Sequence, residues 1–215
     1  AIDHHPSQEF FARRTCLDAG RAACGELVYD ILRELGPVTA EMAVPLYVAV
    51  STDCGCFQYG NTTADSHRVA AALMDTGLDV FPLNKRHFRT KTWARLQVER
   101  LLAERMHRYE GGKIAVAPVS LSLMEEAGAT EEDMEDIAAF LGQIEGVETS
   151  VTIREQAGGS CKLSVRTSGG LNATKVCALL GGGGHAAAAG CTVEEELAGA
   201  EAAVLDAIRR VEAGA

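Results

Sequence analysis

Three short stretches of this chain carry side chains at spacings that could do chemistry. The first is Asp3-His4-His5. Neighbouring side chains of an extended segment point to opposite sides, so the two imidazoles are poor joint ligands for one metal ion. They suit a division of labour: one binds a metal, the other faces a substrate, and Asp3 orients a ring N–H. If Ile2 ends a buried strand, the triplet lies at a strand's C-terminal edge, where open α/β sheets bind ligands. Taken alone, the triplet also fits a polar tail or tag remnant.

The second stretch is Ser51-Thr52-Asp53-Cys54-Gly55-Cys56-Phe57, followed by Tyr59-Gly60-Asn61-Thr62-Thr63. Asp53 follows Leu46, Val48, Ala49 and Val50, an awkward place for a carboxylate unless it is paired or binds a cation. At a helix C-terminus the dipole would add to that cost, and a metal or histidine partner would offset it. Gly55 permits a close turn, although a plain aspartate turn explains the same residues. The third stretch is Gly181-Gly182-Gly183-Gly184-His185, then Ala186 to Ala189 and Gly190. Consecutive glycines expose backbone N–H groups able to line an anion, and His185 adds a donor. Arg166, upstream of them, can grip a phosphate with two parallel bonds. No Lys-Ser/Thr follows, so this is not a Walker loop. A flexible linker is the plain alternative, although the alanine run points to tight packing.

The elements that must carry these residues follow from periodicity. Ala22, Ala23, Leu27, Val28, Ile31, Leu32 and Leu35 recur at helical spacing and stop at Gly36-Pro37. Thr39 caps a second helical pattern that Pro45 would kink or restart, running into a turn at Ser51–Gly55. A third helix starts at Thr63 or Asp65 and ends at Gly77. Residues 90–109 read as a basic helix with Trp93, Leu96, Leu101 and Leu102 among its apolar residues, closing at Gly111-Gly112. Beyond that, Lys113–Val119 alternates like a strand, and Thr130 caps a helix over 131–142 with an acidic first turn. Val147–Arg154 and Cys161–Arg166 read as strands paired through Gly158-Gly159. A helix near 173–180 and an amphipathic helix from Glu194 complete the chain. The expected class is α/β. It comprises a partial N-terminal parallel-sheet domain over 1–89, a basic linker helix over 90–112 and a C-terminal mixed-sheet domain over 113–215.

Composition limits the functions open to such a chain. Its 215 residues are enough for two small domains, and 47% hydrophobic with 23% charged residues is ordinary for a globular protein. No apolar run is long enough for a transmembrane helix, and no secretory signal precedes the triplet. The net charge of −10 excludes a protein that grips long duplex nucleic acid by bulk phosphate neutralisation. That charge is uneven. Residues 1–113 carry 14 basic and 14 acidic side chains, residues 114–215 carry 6 and 16, and eight basic residues crowd between Lys85 and Arg108. Seven cysteines without a C-x-x-C pair argue against a disulfide scaffold or a zinc knuckle and for reduced thiols in the cytoplasm. Cys16, Cys24 and Cys177 stand among small apolar residues, as buried thiols do.

Together the three stretches resemble the DHH phosphoesterase superfamily. They are Asp3-His4-His5, the D-x-G-x-F-x-Y-x-N-T-T run from Asp53 to Thr63, and the G-G-G-G-H-x-x-A-A-G run from Gly181 to Gly190. The order is similar to the RecJ-like branch with a DHH-associated C-terminal domain, and most similar to its nanoRNase (oligoribonuclease) and phosphoadenosine-phosphate phosphatase group. The resemblance implies a two-metal phosphoesterase using Mn²⁺, with Mg²⁺ or another divalent ion as the alternative. It implies His4 and Asp53 as metal ligands. Asp3 and His5 are the implied catalytic residues, His5 approaching the phosphate and Asp3 supporting the histidines. Arg166, Gly183, Gly184 and His185 would hold the nucleotide across a cleft. Implied substrates are short RNA or 3′-phosphoadenosine 5′-phosphate. Cyclic or linear dinucleotides form the rival class. The basic 90–109 helix is open to three readings: association into a homodimer, a solvated face, or contact with substrate phosphates.

One departure stands out. The family's H-x-x-x-D-x-D and a further aspartate precede its DHH triplet and supply most of the metal ligands, whereas Ala1 is the first residue here. His67, His87 and His107 are not followed by the required carboxylates. The chain therefore reads as the C-terminal part of a longer enzyme, and by itself as an inactive nucleotide-binding fragment. Cys54 replaces a usual threonine, placing a thiol beside the expected metals, and Asn172 replaces a frequent aspartate.

Overall fold

A computed structural model describes residues 1–5, 10–134 and 137–214. It divides into two compact units, Ala1–Thr90 and Lys91–Ala215.

In the first unit a short strand β1 (Ile2–Asp3) pairs in parallel with β2 (Cys16–Leu17), Ile2 opposite Cys16 and Asp3 opposite Leu17. Helices α1 (Cys24–Leu35), α2 (Ala40–Asp53), α3 (Ala64–Met74) and α4 (Val80–Phe88) follow. Their apolar stripes meet in a core that includes Ala23, Tyr29, Leu46, Val50, Val69 and Leu73. A two-residue parallel pair buries little, and Ile2 remains 42% exposed where a buried strand end was expected. Thr39 Oγ1 accepts the Met42 N–H at the start of α2. That helix runs unbroken through Pro45, where the ring removes one backbone bond that the burial of Leu46, Tyr47 and Val50 outweighs. Ser51–Asp53 is thus its last turn, and the reversal starts only at Cys54. Thr63 caps α3 reciprocally with Ser66. Helix α4 was not legible, because it buries none of its residues and leaves Phe81 exposed.

The second unit is built on a mixed sheet, its described strands ordered β3-β4-β5-β6-β8-β7. They are β3 (His107–Tyr109), β4 (Ile114–Val119), β5 (Thr149–Glu155), β6 (Cys161–Thr167), β7 (Gly183–His185) and β8 (Ala188–Val193). Only β4 and β5 pair in parallel. Helices α5 (Trp93–Arg105), α6 (Leu121–Ala127), α7 (Ile137–Phe140), α8 (Ala173–Ala178) and α9 (Leu197–Glu212) complete it. Alternation sends Val151, Ile153, Leu163, Val165, Ala189 and Cys191 into a layer with α8 and α9. Ala115, Ala117 and Val119 point the other way, into a layer with α5, α6 and α7. On that same side β6 and β8 present Lys162, Ser164, Arg166, Ala188, Gly190 and Thr192, none of them buried.

Three local expectations change. The basic helix is α5 and stops at Arg105, because residues 107–109 join the sheet edge; Val98, Leu101 and Leu102 are buried while Trp93 is 75% exposed. The helix over 131–142 is broken into short turns, 132–134, 137–140 and 141–143, with 135–136 outside the described residues. Asp133 Oδ2 takes both the N–H and the hydroxyl of Thr130 and tightens that first turn. The run 181–185 is not an open turn throughout, for Gly183–His185 form the edge strand β7 against β8.

Candidate functional site

The first group of expected residues gathers where β1 ends. Asp3 Oδ1 accepts the backbone N–H of His4 at 2.7 Å, the N–H of His5 at 3.0 Å and the Nδ1–H of His5 at 2.7 Å. The His5 N–H, its ring and the His4 N–H hold the Asp3 carboxyl down at about 2, against a small opposing effect of burial. The imidazole of His5 therefore has its tautomer set by Asp3. His4 is oriented differently. Its Nδ1 lies 3.2 Å from the carbonyl oxygen of Arg21 and donates to it, which leaves the Nε2 lone pair facing outward. That Nε2 is 3.6 Å from Asp53 Oδ2. With the proton on Nδ1, two acceptors so disposed have no proton to share and are suitable electron-pair donors to a common cation. The two rings stay close, 4.3 Å between centroids at 58°. Among the described residues no cluster of three or more metal-ligating side chains forms.

Asp53 is positioned from behind. It is the last residue of α2, and Gly55, Cys56 and Phe57 then reverse the chain with φ of +53°, +55° and +63°. Three successive left-handed residues, two of them not glycine, store backbone strain beside the carboxylate. Gly55 also makes room for the ring of Tyr59, which would have to shift to admit a Cβ. Asn61 closes the loop: its Nδ2 donates to Asp53 O at 3.0 Å and to Ala22 O at 3.1 Å, next to the Arg21 carbonyl that orients His4. Glu26, fully buried in α1, accepts the Ser66 hydroxyl at 2.6 Å and the Ala22 N–H at 3.2 Å. Sequence reasoning missed Arg21, Glu26 and Asn61 as supports. Only Asn61 left a signal, inside the N-T-T run. Cys54 is buried and its thiol is pushed up by that burial, so it does not offer a thiolate at this site. Cys16, expected to be buried, is exposed; Cys177 is buried as expected.

The second group lies in the other unit. Arg166 on β6 and His185 on β7 are both paired with Ala188 on β8, so the three share one row and one face of the sheet. Two strand spacings separate Arg166 from His185, about 10 Å, with only the methyl of Ala188 between. Arg166 Nη1 donates to Val165 O at 3.1 Å. The glycines permit close approach of β7 to β8. A Cβ on Gly182 would overlap Gly190 O and Cys191, and one on Gly184 (φ +146°) would lie 2.6 Å from Ala188 O. Gly183 has open space around it. The hydroxyl of Thr174 donates to Gly184 O at 2.9 Å and ties β7 to α8, whose N-cap is Asn172.

Residues 111–213 match the DHHA1 domain family. The chain is 37% identical over 97% of its length to the bifunctional oligoribonuclease and PAP phosphatase NrnA of Thermus thermophilus. It is 23% identical over 88% of its length to a probable protein of the same name from Streptococcus mutans. It spans 63% and 60% of those relatives, respectively. A crystal structure of an exopolyphosphatase-related protein from Bacteroides fragilis shares the fold, with a TM-score of 0.89 at 23% identity over 97% of this chain and 62% of that one. Residues 111–213 thus carry a DHHA1 domain, and the chain as a whole is similar to the oligoribonuclease and PAP phosphatase relatives over the part of them that it spans.

Proposed function

We propose that this chain works in a divalent-metal-dependent phosphoesterase that hydrolyses short oligoribonucleotides, 3′-phosphoadenosine 5′-phosphate, or both. The observation that carries the reading is the facing pair His4 Nε2 and Asp53 Oδ2, 3.6 Å apart, within a chain 37% identical to an oligoribonuclease and PAP phosphatase. The donor set fits Mn²⁺ or Mg²⁺: one imidazole with its other nitrogen held by a carbonyl, and one carboxylate at a strained helix end. His4 and Asp53 would hold such an ion. When bound, the metal supplies an activated water and polarises the phosphate. Two side chains do not complete a metal's ligand shell, so further donors are required.

The remaining steps belong to the chain's own residues. Asp3 keeps the Nδ1 proton on His5, which assigns to His5 Nε2 the proton transfer or the donation to a phosphate oxygen. Arg166 and His185 supply donors on one face of the DHHA1 sheet, with Gly183 and Gly184 beside them. That face suits a short phosphate-bearing ligand, and the chain's acidic balance disfavours a long duplex. The cysteines are all free among the described residues. No helix among the described residues is long and apolar enough to cross a membrane.

The test is hydrolysis by the intact protein carrying this chain, with Mn²⁺, on di- to pentaribonucleotides, on phosphoadenosine phosphate and on cyclic dinucleotides. Mononucleotide or phosphate release from the first two supports the reading. Preference for the cyclic substrates would shift it to a dinucleotide phosphodiesterase, and no hydrolysis of any would reject it.

A further inference from the structure

We propose that the open face of β6 and β8 is a phosphate track that continues past Arg166 to Lys162, so that the DHHA1 unit grips an extended oligonucleotide instead of a single nucleotide. This rests on the phosphoesterase reading above. Its starting point is where the few cations of this region fall. Residues 114–215 hold 16 acidic and only 6 basic side chains, yet Arg154, Lys162 and Arg166 share one face of two adjacent strands. Arg154 stands directly opposite Lys162, a like-charge pairing that costs stability in an antiparallel ladder. Glu131 neutralises Arg154. Lys162 is exposed and, among the described residues, has no ion-pair partner. The sheet thus tolerates an uncompensated cation in an acidic unit, at the place where an anion could use it.

The shape of the face agrees. Lys162, Ser164 and Arg166 project from β6 on one side while Cys161, Leu163 and Val165 are buried on the other. Their neighbours on β8 are Thr192, Gly190 and Ala188, so a floor of small side chains runs beside the row. Four residues of strand separate Lys162 from Arg166, about 13 Å. At a rise of about 3.4 Å per nucleotide in a stacked strand, that spans about four nucleotides, and fewer in an extended one. Lys162 is therefore better placed for a tetranucleotide anchored at Arg166 than for a dinucleotide.

The experiment measures binding of 5′-phosphorylated di- and tetraadenylate to the full chain in EDTA, where turnover is suppressed. Lys162→Ala should weaken the tetranucleotide about threefold and Lys162→Glu more, with a salt slope shallower by about 0.7. Both should affect the dinucleotide less than the tetranucleotide. Arg166→Ala should weaken both ligands, and Lys175→Ala, which removes an exposed lysine on α8, should weaken neither. Unchanged tetranucleotide binding in both Lys162 variants overturns the track while leaving the phosphoesterase reading to Arg166. A Lys175 effect as large as that of Lys162 also overturns it, as bulk charge. An Arg166→Ala variant that binds both ligands normally, or a wild-type chain that binds neither, overturns the reading beneath it.

Discussion

Nε2 of His4 and Oδ2 of Asp53, brought from the end of β1 and the last residue of α2, face each other at 3.6 Å. The Arg21 carbonyl holds the opposite nitrogen of His4, so the pair presents two acceptors toward one point. Mn²⁺ should bind there weakly, and His4→Ala or Asp53→Ala should each lower the affinity at least tenfold, about the effect of losing one supporting partner or more. Manganese titration followed by electron paramagnetic resonance checks this. With only these two donors described, the chain by itself should show negligible Mn²⁺-dependent turnover.

Asn61 bridges Asp53 O and Ala22 O and should act on both stability and metal affinity. Asn61→Ala loses two hydrogen bonds, a cost of about 1–3 kcal/mol, read by urea denaturation. If Asn61 also sets the position of Asp53, manganese affinity falls in the same variant while the His5–Asp3 contact is untouched.

The glycines at and just before β7 should separate into packing and ligand positions. Gly182→Ala, whose methyl would overlap Gly190 O and Cys191, should destabilise the second unit by about 1–3 kcal/mol. Gly183→Ala meets nothing and should leave the melting temperature nearly unchanged. A drop in nucleotide affinity for Gly183→Ala at constant stability would mark that position as a contact to ligand.

Asp133 offers a pH-dependent signature. The Thr130 N–H and the Thr92 hydroxyl, at 2.5 Å, hold its carboxyl below the usual carboxylate range. A lowered folded value means the stabilisation is present above about pH 4 and is lost as pH falls through the folded value. Denaturation of the wild type and Asp133→Asn at pH 6 and pH 3 should show a gap that narrows at the lower pH.

What was legible in advance followed physical signal strength. Thr39 and Thr63, with apolar residues at helical spacing behind them, announced α2 and α3, and the alternation in β6 was strong because one of its faces is buried and the other open, whereas β4 and β5 are buried on both faces. Helix α4 buries nothing and α6 is only seven residues long, so neither left a stripe. Pro45 was weighed too heavily because local propensity ignores the burial of Leu46 and Val50. The glycine run looked like a turn because an edge strand without side chains has no alternation to read. At the site, the ligand-type side chains were visible by type. Their supports were not, since the Arg21 carbonyl is backbone and Glu26 looks like any helical glutamate.

The central claim is that His4 and Asp53 serve a metal-dependent phosphoesterase. Its most direct test is the rate of mononucleotide release from a diribonucleotide by the intact protein with saturating Mn²⁺, wild type against Asp53→Ala. The account predicts a loss of more than about 100-fold, beyond what removing an outer partner costs, with the fold intact by circular dichroism. An Asp53→Ala enzyme that retains wild-type turnover would contradict it.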